Sequence, residues 1–231
     1  MSKIDIKRFE YKYFISKQDY VVLKDRISAI MTMDKYASID GDYSVRSVYF
    51  DTLNNTAYYD KLDGVSKREK IRIRIYNGKS DVVKLEVKKK EGAIVRKISS
   101  TITVSLAQKI IDVGVVSLNN NEKKMIAPEI MYILERNIHK PVVIVEYMRE
   151  AFLFDINNVR ITFDKEVRKK EYCRDFFEKN LQLEHITDIP FIILEVKFNT
   201  YLPTYISRLL TFNNNHRLAI SKYCASREFI Y

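Results

Sequence analysis

Tryptophan is absent from this 231-residue sequence, and glycine (5), proline (4) and cysteine (2) are scarce. So little glycine and proline argues against a linker-rich or disordered chain. The two isolated cysteines, Cys173 and Cys224, form neither a disulfide framework nor a zinc site, and they are typical of a reducing compartment. The three histidines, His139, His185 and His216, lack the spacing of metal ligands.

Long apolar runs are also missing from the sequence. No segment approaches the roughly 20 apolar residues needed to cross a membrane, and residues 1–10 lack the apolar core of a signal peptide. We therefore expect a cytoplasmic protein without membrane insertion. No internal repeat or low-complexity tract divides the chain, so residues 1–231 are predicted to form a single domain.

Positive charge is in excess. Forty Lys and Arg residues against thirty Asp and Glu residues leave a net charge of +10, which suits nucleic acid, an anionic membrane or a polyanionic substrate. The sequence contains no Gly-rich phosphate loop, which argues against a P-loop mechanism.

Alternation of polar and apolar residues predicts an α+β fold in which strands dominate. The strands are predicted over 8–14, 43–51, 67–76, 81–90, 93–104, 141–155, 159–167 and 191–199. Helices are predicted over 17–31, 127–137, 203–212 and 218–228, while 106–121 is helical or irregular and carries no recognisable motif. Asn77-Gly78 and Asn157-Asn158 predict tight turns, and 51–55 is turn-prone.

Five of these strands carry charged side chains on one face and apolar side chains on the other. The charged faces contain Glu10 and Lys12; Arg72 and Arg74; Lys84, Glu86 and Lys88; Arg160 and Asp164; and Glu195 and Lys197. Each charged face could simply meet water, as in many half-buried antiparallel sheets. Alternatively, about eight strands close into a β-barrel whose apolar faces pack outward on helices and whose charged faces line the bore.

A bore crowded with Lys and Arg would be destabilised by desolvation and repulsion unless a polyanion occupied it. The carboxylates of Glu10, Glu86 and Glu195 offset only part of that charge. They could also hold Mg²⁺ or Mn²⁺, hard cations that take carboxylate oxygens and bridge phosphates. The closed-barrel alternative therefore predicts a metal-assisted site for a chain of phosphates.

The same residues form motifs that resemble a known family. Glu10-Tyr-Lys12, Arg72-Ile-Arg74, Glu86-Val-Lys88 and Glu195-Val-Lys197 are similar to signatures of the triphosphate tunnel metalloenzymes, the CYTH-like superfamily. Within it, Ser47-Val-Tyr-Phe-Asp51, Tyr147-Met-Arg149, Arg160 to Asp164 and Ser221-Lys-Tyr223 resemble the polyphosphate polymerase (VTC) domain of the vacuolar transporter chaperone complex and its stand-alone bacterial relatives. The resemblance runs from about Lys7 to the C-terminus.

This resemblance implies ATP-dependent synthesis of polyphosphate with Mn²⁺ or Mg²⁺ in a tunnel. The catalytic cations it implies are Arg72, Arg74, Lys88, Arg149 and Lys197. The predicted substrate-binding residues are Lys12, Lys84, Arg160, Lys222 and a cation of the strand after Gly92, either Lys97 or Arg96. Lys97 is preferred because it shares a face with Ser99 and Thr101. Glu195 would be the main metal ligand, assisted by Glu86 and Glu10.

Two other functions stay open at this point. A triphosphatase or nucleoside triphosphatase of the same fold would use a Glu-oriented water in place of the end of the chain. A non-catalytic module could bind polyphosphate or nucleic acid, since positive charge alone suits both. Aromatic residues among the basic strand positions are few, which argues against nucleic acid as the partner. We therefore expect ATP and polyphosphate or triphosphate as ligands.

Overall fold

A computed structural model of the chain describes residues 8–34, 41–92, 94–171, 173–187, 191–212 and 216–228. Strands dominate these ranges, as the alternation of the sequence predicted. They are Phe9–Ile15 (β1), Thr32–Met33 (β2), Asp42–Thr52 (β3), Lys67–Tyr76 (β4), Lys79–Glu91 (β5), Ile94–Ile102 (β6), His139–Phe154 (β7), Val159–Lys170 (β8), Glu184–His185 (β9) and Ile192–Phe198 (β10).

Short helices lie between the strands and near the end of the chain. They are Lys17–Ser28 (α1), Thr56–Leu62 (α2), Val104–Val113 (α3), Asn120–Lys124 (α4), Pro128–Arg136 (α5), Thr204–Leu209 (α6) and Lys222–Ala225 (α7). A single turn of 3-10 helix occupies Val115–Ser117, whereas Ile156–Asn158 leaves the helical conformation at Asn157. Within the described ranges, every helix is too short or too polar to cross a membrane.

The long strands form one curled antiparallel sheet in the order β1-β10-β8-β7-β3-β4-β5-β6. The sheet curls until Arg8, just before β1, meets Val95 of β6 through a single backbone bridge. Among the described residues no ladder joins these two end strands, so the barrel is open at this seam, whereas the sequence predicted a closed one. The register explains why β1 and β6 do not pair further along. With Arg8 opposite Val95 in antiparallel orientation, Phe9 lies opposite Ile94, the first residue of β6, and the rest of β1 extends past the end of β6.

Asparagine and glycine in left-handed backbone conformations make the predicted turns. Asn77 (φ 53°) and Gly78 (φ 59°) connect β4 to β5. Two consecutive residues with positive φ form a type I′ turn, whose twist matches the twist of the two strands that it joins. Asn157 (φ 58°) and Asn158 (φ 48°) reverse the chain between β7 and β8. Both turns confirm the predictions from local sequence.

The apolar faces of the strands pack outward on helices. Leu106 and Ile110 of α3 share a buried cluster with Ile73, Leu85 and Ile98 of strands β4, β5 and β6. A second cluster joins α1 and α6 to β1, β8 and β10. Because helices cover the apolar faces and side chains alternate along a strand, the charged faces of the same strands point to the concave side of the sheet.

Helix α2 follows the 51–55 segment, where the sequence predicted only a turn. Its N-cap residue Asn55 makes no capping hydrogen bond with its side chain. The buried carboxylate of Asp51 accepts the N–H groups of Ala57 (2.9 Å) and Tyr58 (3.1 Å) instead. At the other end of the chain only α7 forms within the predicted 218–228 helix.

Candidate active site

The concave side of the sheet encloses a cavity of about 180 Å³. The predicted residues that line it are Glu10 and Lys12 of β1, Arg72 and Arg74 of β4, Lys88 of β5, Arg149 of β7, Glu195 and Lys197 of β10, and Lys222 of α7. Residues 218–223 cover one side of the cavity. The curl of the sheet therefore brings together motifs that lie far apart in sequence.

Two carboxylates, Glu10 and Glu195, share one ammonium group. The Nζ of Lys12 lies 3.1 Å from Glu10 and 3.3 Å from Glu195, and Lys197 Nζ lies 3.0 Å from the other oxygen of Glu195. Burial raises the pKa of Glu10, but the nearby ammonium groups, Lys88 foremost, outweigh it and bring the pKa to about 2. Burial likewise opposes ionisation of Glu195, yet Lys197 and Lys12 hold its pKa well below the usual range. Both carboxylates are therefore ionised at neutral pH.

Glu86 is buried on the concave face of the sheet, next to the cavity but outside its lining, where it holds two cations. Its Oε2 accepts from Arg72 at 2.8 Å, and its Oε1 accepts from Lys97 at 2.8 Å. Burial raises the pKa of Glu86, but the guanidinium of Arg72 outweighs it and lowers the pKa. The carboxylate orients Arg72 toward the cavity and does not join the pair formed by Glu10 and Glu195.

Arg149 makes a two-pronged contact with Asp164, a fully buried carboxylate of β8. The Nε–Oδ1 and Nη2–Oδ2 distances are 2.6 and 2.8 Å, the fork geometry that favours arginine over lysine. Lys222 donates to the same carboxylate from α7. Burial raises the pKa of Asp164, but Arg149 and Lys222 bring it to about 2. Asp164 thus connects a cation of the sheet with a cation of the C-terminal helix.

Arg74 is held by hydroxyl groups. Its Nε donates to Ser47 Oγ at 3.0 Å and its Nη2 to Tyr147 Oη at 3.1 Å. No ion pair neutralises this guanidinium among the residues the structure describes, although the side chain is buried. The charge also acts on Tyr49 of β3. Burial raises the pKa of that phenol, but Arg72 and Arg74 bring it to about 8.

Three predicted cations share the concave face but do not line the cavity. Lys84 donates to Thr101 Oγ1 on the neighbouring strand, and Lys97 is held by Glu86 as described above. Arg160 donates to Asp34 at 2.7 Å and to Tyr43 at 2.9 Å. These three side chains therefore lie on the same face as the cavity but outside its lining.

Arg96 lies on the opposite face of the sheet. In the register of β5 and β6, Lys88 pairs with Lys97 while Lys89 pairs with Arg96. The guanidinium of Arg96 contacts Glu129 of α5 at 3.0 Å, outside the cavity. Arg96 therefore does not face the cavity, contrary to its inclusion among the predicted substrate-binding residues, whereas the preferred Lys97 is on the concave face.

The cavity also contains residues that the sequence analysis did not assign. They are Lys61, Arg68, Lys70 and Lys90, the aromatic residues Tyr49, Tyr147 and Tyr223, Val95, and the segment 218–221. Alternation along β4 and β5 places Arg68, Lys70 and Lys90 on the same face as the predicted cations, so that signal was present in the sequence. Lys61 lies on α2, a helix that depends on a tertiary contact.

The acidic residues of the cavity fit a hard divalent cation only in part. Glu10 and Glu195 lie on neighbouring strands, are ionised and face the cavity together, which suits Mg²⁺ or Mn²⁺. No group of three His, Cys, Asp or Glu side chains is close enough to hold a metal within the described ranges. A bound cation would therefore take its remaining ligands from phosphate oxygens or water, as Mg²⁺ commonly does.

Comparison with known proteins finds one matching domain family and several solved structures with a similar fold. The family model of the VTC domain matches residues 7–231. A candidate adenylate cyclase from Bacillus halodurans superposes with a TM-score of 0.50 at 14% identity, covering 90% of this chain and 87% of that one. A candidate adenylyl cyclase from Hippeastrum, HpAC1, described by a dominant triphosphatase activity, gives a TM-score of 0.46 at 11% identity, covering 90% and 84%. No curated protein matches the chain. At these identities the structural likeness concerns the fold alone.

Proposed function

Since the chain belongs to the VTC domain family, we propose that it synthesises inorganic polyphosphate by transferring the γ-phosphoryl group of ATP to the end of a phosphate chain. One observation carries the proposal: the cations of five strands and of α7 converge on a single cavity. A polyanion is the ligand that such a cavity neutralises best. The family match supports phosphate chemistry in particular.

The proposed reaction needs little covalent chemistry from the protein. A terminal oxygen of the chain forms a bond to the γ-phosphorus of ATP, the bond from that phosphorus to the β-γ bridging oxygen breaks, and ADP leaves. Catalysis then consists of in-line positioning and of stabilising charge on the phosphate oxygens. In this proposal the guanidinium groups of Arg72, Arg74 and Arg149 and the ammonium group of Lys88 take this role, and the observation that supports it is that all four line the cavity.

Buried carboxylates hold two of these cations in place before substrate arrives. Glu86 fixes Arg72, and Asp164 fixes Arg149 with two parallel hydrogen bonds. A cation fixed in this way loses less conformational entropy when phosphate binds, which is the basis of preorganised sites. Glu86 and Asp164 are therefore positioning residues in this proposal.

Glu195 and Glu10 are the residues that would hold Mn²⁺ or Mg²⁺. A divalent cation supplies charge that polarises phosphate oxygens and neutralises the negative charge of the transferring group. Lys12 lies between the two carboxylates, while Lys88 donates to Glu10 and Lys197 to Glu195. A bound metal therefore competes with all three ammonium groups. Glu86 is committed to Arg72 and Lys97 and is not proposed as a ligand.

The proposal is tested by incubating purified protein with ATP and Mn²⁺ and separating the products on a gel that resolves phosphate chains by length. We expect long chains to accumulate together with ADP. Free phosphate without chains would replace the proposal with a triphosphatase of the same fold, and binding of ATP without turnover would replace it with a binding module.

Two variants locate the activity in the cavity. Glu195→Gln removes the charge of the main proposed metal ligand and should abolish metal-dependent turnover. Glu91→Gln removes a carboxylate from the exposed end of β5, where it pairs with Lys67 alone among the described residues, and should leave turnover unchanged. Equal activities of the two variants would contradict the assignment of the cavity as the active site.

A further inference from the structure

Four cations at one end of the cavity have no carboxylate partner among the described residues, a property that they share only with Arg74 among the other cations of the cavity. This outer cation cluster consists of Lys61 of α2, Arg68 and Lys70 of β4, and Lys90 of β5. All four are half-buried and face the cavity. The nearest polar contact of Lys70 is the hydroxyl group of Ser221, to which its Nζ donates.

The remaining cavity lysines and two of the arginines are paired with acidic residues. Lys12, Arg72, Lys88, Arg149, Lys197 and Lys222 each contact Glu10, Glu86, Asp164 or Glu195. A phosphate group that binds these cations must therefore compete with a carboxylate. No such competition exists at the outer cation cluster, so the net positive charge is concentrated there.

The fold gains no stability from this arrangement. Arg68 pairs directly with Lys90 across β4 and β5, and Lys70 pairs with Lys88 in the same way, and like charges opposite each other destabilise a sheet. Burial, together with the charges of Arg68 and Lys88, lowers the pKa of Lys90. A cluster that costs stability in the free protein is typical of a site that a ligand of opposite charge completes.

The outer cation cluster also lengthens the row of cations that a bound ligand can contact. The other cations of the cavity are here called the inner cations: Lys12, Arg72, Arg74, Lys88, Arg149, Lys197 and Lys222. Arg68, Lys70, Arg72 and Arg74 lie on one face of β4, and six residues of strand span about 20 Å. A triphosphate is shorter than this path, and a longer chain of phosphates can follow it. Beyond the cavity, Arg68 and Lys90 also line a neighbouring surface groove beside α2, which leaves room for the chain to continue.

We infer that the outer cation cluster is a binding site for the distal phosphates of a chain longer than triphosphate. The inference rests on the proposed function for the chemistry of its ligand. It adds a specificity for length, because a long chain reaches both the inner cations and the outer cluster, whereas triphosphate is held by the inner cations alone.

The test compares the binding of triphosphate and of a long polyphosphate of defined length, measured by calorimetry without ATP. The variant Arg68→Gln/Lys90→Gln removes two charges from the cluster. The matched control, Lys79→Gln/Lys124→Gln, removes two charges from exposed positions that line neither the cavity nor the groove beside α2. We expect the first variant to lose about tenfold or more of its affinity for the long chain, and much less for triphosphate, because each Lys or Arg contact to phosphate adds to polyanion affinity.

The control should keep the affinity difference between long and short chains. If Arg68→Gln/Lys90→Gln keeps that difference as well while triphosphate still binds, the inference is wrong and the proposed function stands. If the unmodified protein binds neither ligand, the proposed function fails and the inference fails with it. Circular dichroism melting curves of both variants show whether each one is folded.

Discussion

At the level of single residues, the cavity contains two kinds of arginine. The guanidinium groups of Arg72 and Arg149 are neutralised by carboxylates in direct contact, whereas that of Arg74 is held by the hydroxyl groups of Ser47 and Tyr147. Burial and the charge of Arg72 lower the pKa of Arg74, but Tyr147 and the more distant Glu86 outweigh them and raise it. Because no carboxylate touches Arg74 among the described residues, its loss leaves no buried charge unpaired, unlike the loss of Arg149.

Replacing Arg74 should therefore separate activity from stability. We expect Arg74→Gln to lower kcat by about 100-fold or more, the loss typical of removing one preorganised charge, while the melting temperature stays equal or rises. Arg149→Gln is the comparison, because it leaves Asp164 with Lys222 alone and should destabilise the protein by about 3 kcal/mol. Thermal unfolding and initial rates measure both effects, and unfolding of Arg74→Gln would show that this side chain is structural.

Lys70 should make the proposed binding of phosphate depend on pH. Burial first, and then the charges of Lys12 and Lys88, bring its pKa to about 8. The groups around it are Lys12, Tyr49, Lys88, Ser221, Tyr223 and Cys224. Its ammonium group is present below pH 8 and is lost as the pH rises through that value, so its attraction for phosphate is lost in the same interval.

We therefore expect the affinity for a long polyphosphate to fall between pH 7 and pH 9 by more than the ordinary lysine pKa of about 10.4 would allow. Lys70→Arg keeps its charge throughout this range and should remove part of the fall. Calorimetric titration at several pH values measures the difference between the two proteins, in which the titration of the ligand itself cancels. Identical pH profiles would show that Lys70 does not contact the anion.

At the level of elements, Asp51 ties two helices to the sheet. Its buried carboxylate accepts the N–H groups of Ala57 and Tyr58 at the start of α2 and the hydroxyl group of Tyr223 from α7. Tyr223 in turn stacks on Tyr49, whose ring lines the cavity. The position of α7, and with it of the cavity wall, therefore depends on a residue at the end of β3.

We expect Asp51→Asn to lower the free energy of unfolding by about 1–3 kcal/mol, because it weakens several hydrogen bonds to one buried group. Tyr223→Phe removes only one of these bonds and should cost about 1 kcal/mol. Denaturant titration measures both changes, with Asp63→Asn at the exposed end of α2 as the control. If Asp63→Asn destabilised the protein as much as Asp51→Asn, the proposed role of Asp51 in holding α2 and α7 on the sheet would be ruled out.

At the level of the whole molecule, the excess of positive charge destabilises the free protein by repulsion and attracts ligands of negative charge. The chain carries a net charge of +10, and its curled sheet directs part of that excess into one cavity. Ligands that bind the folded state alone stabilise it by mass action. A polyanion should therefore stabilise this protein more than its ionic strength can explain.

We expect triphosphate at about 100 times its dissociation constant to stabilise the fold by about 2.7 kcal/mol, which raises Tm by about 5–10 °C in a protein of this size. Sodium chloride at equal ionic strength is the control for screening. Thermal melts monitored by fluorescence or circular dichroism measure the shift. Equal shifts with both salts would argue against a phosphate-binding cavity.

Some predictions about the whole molecule remain predictions. The structure concerns the path of the backbone and the contacts of side chains, and the family match covers residues 7–231. Neither bears on the expectation of a cytoplasmic location or on that of one domain over residues 1–231. The oligomeric state and the nucleotide preference are likewise set by surfaces and ligands beyond a single chain.

The sequence by itself determined which side chains share a face, because the two-residue period of a strand is a local property. It also determined the turn at Asn77-Gly78 and the start of α1 at Ser16, whose hydroxyl group accepts the N–H of Asp19. Only the tertiary structure decided between a solvent-exposed charged face and an enclosed one, because the curl of the sheet depends on the register of all its strands. It likewise decided that Glu86 holds Arg72, that Arg96 faces α5 and that the seam between β1 and β6 stays open. These are contacts between segments distant in the chain, and no local pattern specifies them.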